Sequence, residues 1–140
     1  MLNNGDIFLI EDDLIDVMVF EKTLKKLSIN NKLIIFNNGI DCINYIKTNP
    51  ALPAIMFIDL NTPKMNGIEF LTEINKTIFD TFFPLIVLTT SDDDNDINQA
   101  YRNHVNGYIT KSISYEEFTS NLLTVLTYWN TVKLPQRTKL

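Results

Sequence analysis

Four places along the chain carry side chains that could do chemistry together. Glu11, Asp12 and Asp13 are consecutive acids, Asp59 closes an apolar run, Thr89 and Thr90 are paired hydroxyls, and Lys111 follows another short run. Carboxylates crowded into one volume raise each other's pKa unless a cation compensates. A hard divalent cation with oxygen ligands, Mg²⁺, is the economical compensation. A lysine ammonium can meet an anion, and a hydroxyl can bond one. Acids, a hydroxyl and a lysine together suit a phosphoryl group and its metal, provided the fold gathers them.

The elements that must do the gathering are legible as alternating patterns. Ile7-Phe8-Leu9-Ile10, Leu33-Ile34-Ile35-Phe36, Ala54-Ile55-Met56-Phe57-Ile58, Leu85-Ile86-Val87-Leu88 and Tyr108-Ile109-Thr110 read as strands. Short unbroken apolar runs fit strands buried on both faces. Between them lie stretches with helical spacing. Residues 14–27 place Leu14, Val17, Met18, Leu24 and Leu27 near one stripe, with Lys22, Lys25 and Lys26 at the end. Lysines in a last turn suit the helix dipole, and acids suit a first turn. Residues 40–47 repeat Ile40, Ile43 and Ile46, and residues 68–78 repeat Ile68, Leu71 and Ile74. A fourth helix is expected from Asp92-Asp93-Asp94 to about residue 103. A fifth, over residues 115–130, aligns Phe118, Leu122, Val125, Leu126 and Trp129. Asp13 is expected to cap the first helix. Cys42 reads as a small buried hydrophobe, and His104 as a surface residue at a helix end.

Five strand–helix repeats predict an α/β fold with a parallel sheet and helices on both faces. Right-handed crossovers restrict its topology. Ligands of such sheets sit at the carboxyl ends of the strands, where the winding direction switches. The acids, the hydroxyls and the lysine all lie at such ends.

Composition narrows the function classes. A chain of 140 residues is expected to be one domain, here with a core of about residues 5–130 and a polar tail over 131–140. Acids number 17 against 12 basic residues, which argues against nucleic-acid binding through phosphate contacts. One cysteine rules out an internal disulfide, and one histidine rules out zinc sites built on two imidazoles. Residues 1–6 lack a basic targeting region, and no apolar run approaches the ~20 residues a membrane span needs. A cytoplasmic protein is the expectation.

The motifs in order are Phe8-Leu9-Ile10-Glu11-Asp12-Asp13, Phe57-Ile58-Asp59-Leu60-Asn61-Thr62-Pro63-Lys64-Met65-Asn66-Gly67, Val87-Leu88-Thr89-Thr90-Ser91 and Gly107-Tyr108-Ile109-Thr110-Lys111. Over nearly the whole chain they resemble the receiver domain of two-component response regulators. The resemblance implies a flavodoxin-like (βα)5 three-layer sandwich with strand order 2-1-3-4-5. It implies that Asp59 accepts a phosphoryl group from a histidine kinase or phosphotransfer protein. It further implies Mg²⁺ held by Asp12, Asp59 and the Asn61 backbone carbonyl, with Glu11 acting through a metal-bound water. Lys111 would pair with a phosphoryl oxygen, Thr89 would swing onto another, and Tyr108 would be the aromatic switch that follows Thr89. Output would pass to a downstream protein through the surface of the fourth helix, fifth strand and fifth helix.

The family usually has proline after its lysine, often with a cis bond, where Ser112 stands here. The look of the chain is also similar to small regulators that partner phytochrome-type kinases, some of which dimerise. Leu123, Tyr128 and Val132 lie off the expected core face of the last helix and are the candidate patch for a homodimer. Two other readings remain open. A Mg²⁺-dependent phosphohydrolase using Asp59 would want a second acid two residues on, where Asn61 stands. A pseudo-receiver that no longer responds to phosphate would lack one of the acids or the lysine.

Overall fold

Runs of isoleucine, leucine, valine and phenylalanine too short to make helices extend here and pair. The computed structural model describes residues 5–78, 82–111 and 114–135. In chain order the elements are β1 (Ile7–Ile10), α1 (Leu14–Lys26), β2 (Leu33–Phe36), α2 (Gly39–Thr48), β3 (Ile55–Ile58), α3 (Gly67–Thr77), β4 (Leu85–Thr89), α4 (Asp94–Arg102), β5 (Gly107–Thr110) and α5 (Tyr115–Thr131). The strands form one parallel sheet in the order β2-β1-β3-β4-β5. This is the expected flavodoxin-like topology, with the winding switch between β1 and β3. Ile10 is in register with Ile58 across that switch.

Alternation along each strand splits the core into two layers. Phe8, Ile10, Met56, Ile58 and Val87 face one way and pack with residues of α2, α3 and α4, including Cys42, Ile46, Phe70, Leu71 and Ala100. Ile7, Leu9, Ile55, Phe57, Ile86 and Leu88 face the other way, onto Val17, Phe20 and Leu24 of α1 and Leu122 and Leu126 of α5. Full burial of each such side chain contributes about 1.5–3 kcal/mol. Cys42 is buried, and His104 is exposed just beyond α4 with φ of 68°.

Helix starts follow short polar caps. Asp13 accepts from the amides of Ile15 and Asp16 at 2.9 and 3.1 Å, as expected of it. Asn38, Asn66, Asp93 and Ser114 cap the other four helices. Asp93 therefore precedes α4 and Asp92 lies outside it. Gly67 meets a close approach: a Cβ there would lie 2.4 Å from Leu60 Cδ2 and 2.5 Å from its Cα. With the Gly67 amide bonded to the Leu60 carbonyl at 2.9 Å, the loop after β3 closes on itself.

The face of α1 differs from the expectation. Leu14 and Met18 were placed on the core stripe, but they are 78% and 62% exposed, and Ile15 is 71% exposed. Val17, Phe20, Thr23 and Leu24 are the buried set. The helix is rotated so that Phe20 can stack edge-on against Phe57, with ring centroids 5.0 Å apart. Burying an aromatic outweighs burying Leu14 beside an acidic loop. Smaller differences are at boundaries: β4 extends through Thr89, β3 starts at Ile55, and α5 reaches Thr131. The Lys111–Ser112 peptide and residues 136–140 of the expected tail lie outside the described residues. No described helix is long and apolar enough to cross a membrane.

Candidate functional site

In-register strands bring the acids together. Glu11 and Asp59 each follow a member of the Ile10–Ile58 pair, and the Asp59 amide bonds to the Ile10 carbonyl at 3.0 Å. Carboxylate oxygens of Glu11, Asp12 and Asp59 all lie within 4.8 Å of one another. Glu11 is 2% exposed and Asp59 9%, whereas Asp12 is exposed. An all-oxygen set of this kind, with more negative than positive charge around it, fits a hard divalent cation.

Lys111 arrives from the far side of the sheet. Its amide bonds to the Thr89 carbonyl at 2.7 Å, which extends the β4–β5 ladder by one step. Its side chain is 8% exposed, and its ammonium donates to Glu11, to Asp16 Oδ2 at 2.8 Å and to Asp59 Oδ2 at 3.1 Å. Asp59 is further held by the Asn61 amide, which donates to Oδ1 at 3.0 Å. Both oxygens of the expected acceptor are thus oriented by the protein.

The protonation balance follows from one ammonium shared among several acids. Burial pushes Glu11 up from 4.5 to about 7; Lys111 opposes this and the neighbouring Asp59 adds to it. Lys111 itself moves above the usual lysine value. Burial works against its charge, but its hydrogen bonds to Asp16 and Glu11 and the nearby charges of Glu11 and Asp59 outweigh that cost. The two upward shifts are compatible. Lys111 gains from every acid around it, while Glu11 has only a share of one cation.

The hydroxyl side of the site is joined mainly by bonds between neutral groups. Thr89 is fully buried. Its Oγ1 accepts from Asn61 Nδ2 at 3.3 Å and from the Ser91 amide at 3.4 Å. Tyr108 is half-buried and donates its hydroxyl to the Ser91 carbonyl at 2.8 Å. The Ser91 hydroxyl donates to Asp96 Oδ2 at 2.6 Å and accepts from the Asp93 amide at 3.3 Å. The polar groups of Thr89 and Tyr108 are thus joined through Ser91. Burial raises the Tyr108 phenol, the Ser91 bond lowers it, and Asp96, Asp93 and Asp92 raise it further.

The seven residues expected to bind metal, carry the phosphoryl group or switch all lie at this end of the sheet: Glu11, Asp12, Asp59, Asn61, Thr89, Tyr108 and Lys111. Three contacts were not anticipated. Asp16, a residue of the first turn of α1 that was not singled out from the sequence, reaches Lys111 across 95 positions. The Asn61 side chain, for which only the backbone carbonyl had an expected role, donates to Thr89. Ser91 links Thr89 and Tyr108, the pair expected to act as a switch. Only the polarity of Ser91 hinted at this.

The chain is similar to known proteins in sequence and in fold. A model of the response regulator receiver domain matches residues 7–123. Response regulator Rcp1 of Synechocystis sp. is 33% identical over 135 residues, covering 92% of this chain and 92% of Rcp1. The crystal structure of Mn²⁺-bound Rcp1 superposes with a TM-score of 0.83 at 31% identity, over 94% of this chain and 99% of that one. The phosphorylated cyanobacterial phytochrome response regulator RcpA superposes with a TM-score of 0.85 at 30% identity, over 94% and 99%. By the match of its family model and this identity over most of its length, the chain belongs to the receiver domain family of two-component response regulators.

Proposed function

We propose that Asp59 accepts a phosphoryl group from a phosphohistidine on a sensor histidine kinase or phosphotransfer protein. The observation that carries this reading is the Asp59 carboxylate held by Lys111 at 3.1 Å beside two further acids. The P–N bond of the donor breaks as an Oδ–P bond forms at Asp59, and the leaving imidazole takes its proton from solvent. Phosphoryl transfer of this kind needs positioning and charge neutralisation more than covalent help. Glu11, Asp12, Asp59 and the Asn61 carbonyl are the groups that would hold Mg²⁺, which when bound neutralises charge on the phosphoryl oxygens. Lys111 transfers its hydrogen bond from Asp59 to a phosphoryl oxygen.

The acyl phosphate changes the local charge by roughly −1. Thr89 would leave Asn61 to bond the new group, and Tyr108 would respond through Ser91. The readout would be the surface of α4, β5 and α5, presented to a downstream protein. The reading makes the chain a cytoplasmic signalling module rather than an enzyme, with one receiver domain filling residues 1–140. A donor protein must cover the rim of the site, where Leu14, Ile15 and Met18 stand exposed beside Asp12. Exposed Leu123 and Tyr128 on α5 and half-buried Val132 at its end are where a second copy would pack.

Incubation with Mg²⁺ and acetyl phosphate, read by intact mass, should show one added phosphoryl group. It should vanish in Asp59→Asn and on chelation. No adduct would leave an interaction module indifferent to phosphate. Rapid multiple turnover of small phosphomonoesters would make the chain a phosphohydrolase instead.

A further inference from the structure

Lys111 has three ammonium hydrogens and three carboxylate partners, and the three partners are not equivalent. Glu11 and Asp59 belong to the acid trio whose oxygens lie within 4.8 Å of one another; Asp16 is not part of it. Phosphorylation of Asp59 and occupation of the metal site would claim the oxygens of both trio members. Asp16 is the partner left to the ammonium. Its position is fixed by the fold. It lies on the first turn of α1, its amide bonds to the Asp13 cap at 3.1 Å, and the same helix buries Val17 and Phe20. Its Oδ2 meets the ammonium at 2.8 Å although the Asp16 side chain is 39% exposed. Backbone bonding of Lys111 to Thr89 fixes where its chain starts, while the acids decide where its end points.

We propose that Asp16 is a positioning residue, holding the Lys111 ammonium over Asp59 before, during and after phosphoryl transfer. This deepens the reading of Asp59 as acceptor and rests on it. The alternative role for Asp16, a bystander acid near an anion site, predicts an effect of opposite sign. Removing a bystander acid lowers the repulsion felt by an incoming phosphoryl donor and speeds transfer. Removing a positioning acid lets the ammonium drift, and misplacement of this kind slows transfer.

The test uses the full chain with Asp16→Ala, Asp16→Asn and Asp16→Glu, at saturating Mg²⁺ with acetyl phosphate. Adduct formation should be about tenfold slower in Asp16→Ala, and Asp16→Glu should recover part of the rate. In metal-free protein labelled with ¹⁵N-lysine, the Lys111 ammonium signal, assigned by its loss in Lys111→Ala, should be displaced and broadened in Asp16→Ala. Wild-type or faster phosphorylation of Asp16→Ala, or an unmoved ammonium signal, overturns the proposal. Should Asp16→Ala fail to fold, Asp16→Asn keeps the side-chain shape and is read the same way. If the wild-type chain takes no phosphoryl group, the acceptor reading fails. The ammonium signal then decides the Asp16 contact alone: displaced upholds it, unmoved ends it.

Discussion

The two halves of the site are built from different interactions. Around the ends of β1 and β3, Glu11, Asp16 and Asp59 meet one ammonium and Asp12 lies close to Glu11 and Asp59, so charge dominates. At the ends of β4 and β5, Thr89, Asn61, Ser91 and Tyr108 are joined mainly by neutral hydrogen bonds of 2.8–3.4 Å. Charged contacts in a shielded pocket are strong and respond steeply to pH and metal. Neutral bonds contribute only about 0.5–1.5 kcal/mol each and can be exchanged for others at little net cost. The first half is suited to capturing a phosphoryl group, the second to rearranging afterwards. Helix α4, the element tied to the neutral half, is also lightly anchored: Ala100 is its buried residue.

Substitutions should separate the halves, the largest effect falling on the charged one. Lys111→Ala should slow phosphorylation of Asp59 by acetyl phosphate about a hundredfold, the usual cost of removing a charge-stabilising donor. An undiminished rate would mean that the ammonium serves only the resting state. The next effect is on pH. Glu11 sits at about 7 in the folded, metal-free protein. Cation binding needs its ionised form, so apparent Mg²⁺ affinity should drop about tenfold per pH unit below that value. The sign for stability is opposite. Between about 4.5 and about 7 the folded chain holds a proton at Glu11 that the unfolded chain has lost. Metal-free stability should therefore decline as pH rises through that window, and Mg²⁺ should restore it. Melting curves across the window with and without Mg²⁺ measure both.

The neutral half should give smaller responses. Ser91→Ala removes a bond to the Asp96 carboxylate and should lower stability by about 1.5 kcal/mol, read from the urea midpoint. Tyr108→Phe removes one bond to a carbonyl and should cost about 1 kcal/mol or less. If either substitution slowed phosphorylation as much as Lys111→Ala, the division of labour between the halves would be wrong.

Legibility followed the same division. The acids and the lysine could be read because they sit one step past apolar runs, and a parallel sheet must gather such positions. The strand order was not legible in this way and came only as what the resemblance to receiver domains implies. Asp16 was not legible either, because its partner is remote in sequence and its own surroundings are those of any helix start. Nor was the face of α1. Leu14 and Met18 fit one helical stripe, Phe20 and Leu24 a neighbouring one, and periodicity does not say which stripe meets the sheet. That choice rests on Phe57, far along the chain. The neutral network was hidden because serine and asparagine in loops have many local partners, and only the folded geometry selects among them.

The in-register pairing of β1 with β3 carries a consequence for what mutation can do to this protein. Glu11 and Asp59 owe their neighbourhood to matching step counts along two strands, from Ile7 beside Ile55 to Ile10 beside Ile58. Exchanging one apolar residue for another within those strands preserves the count. Losing a single residue from either would turn the acid that follows toward the opposite face. Length changes in the distant loops leave that count untouched. The site is therefore tolerant of substitution in its supporting strands and intolerant of deletion there, a pattern that a scan of single-residue deletions would display directly.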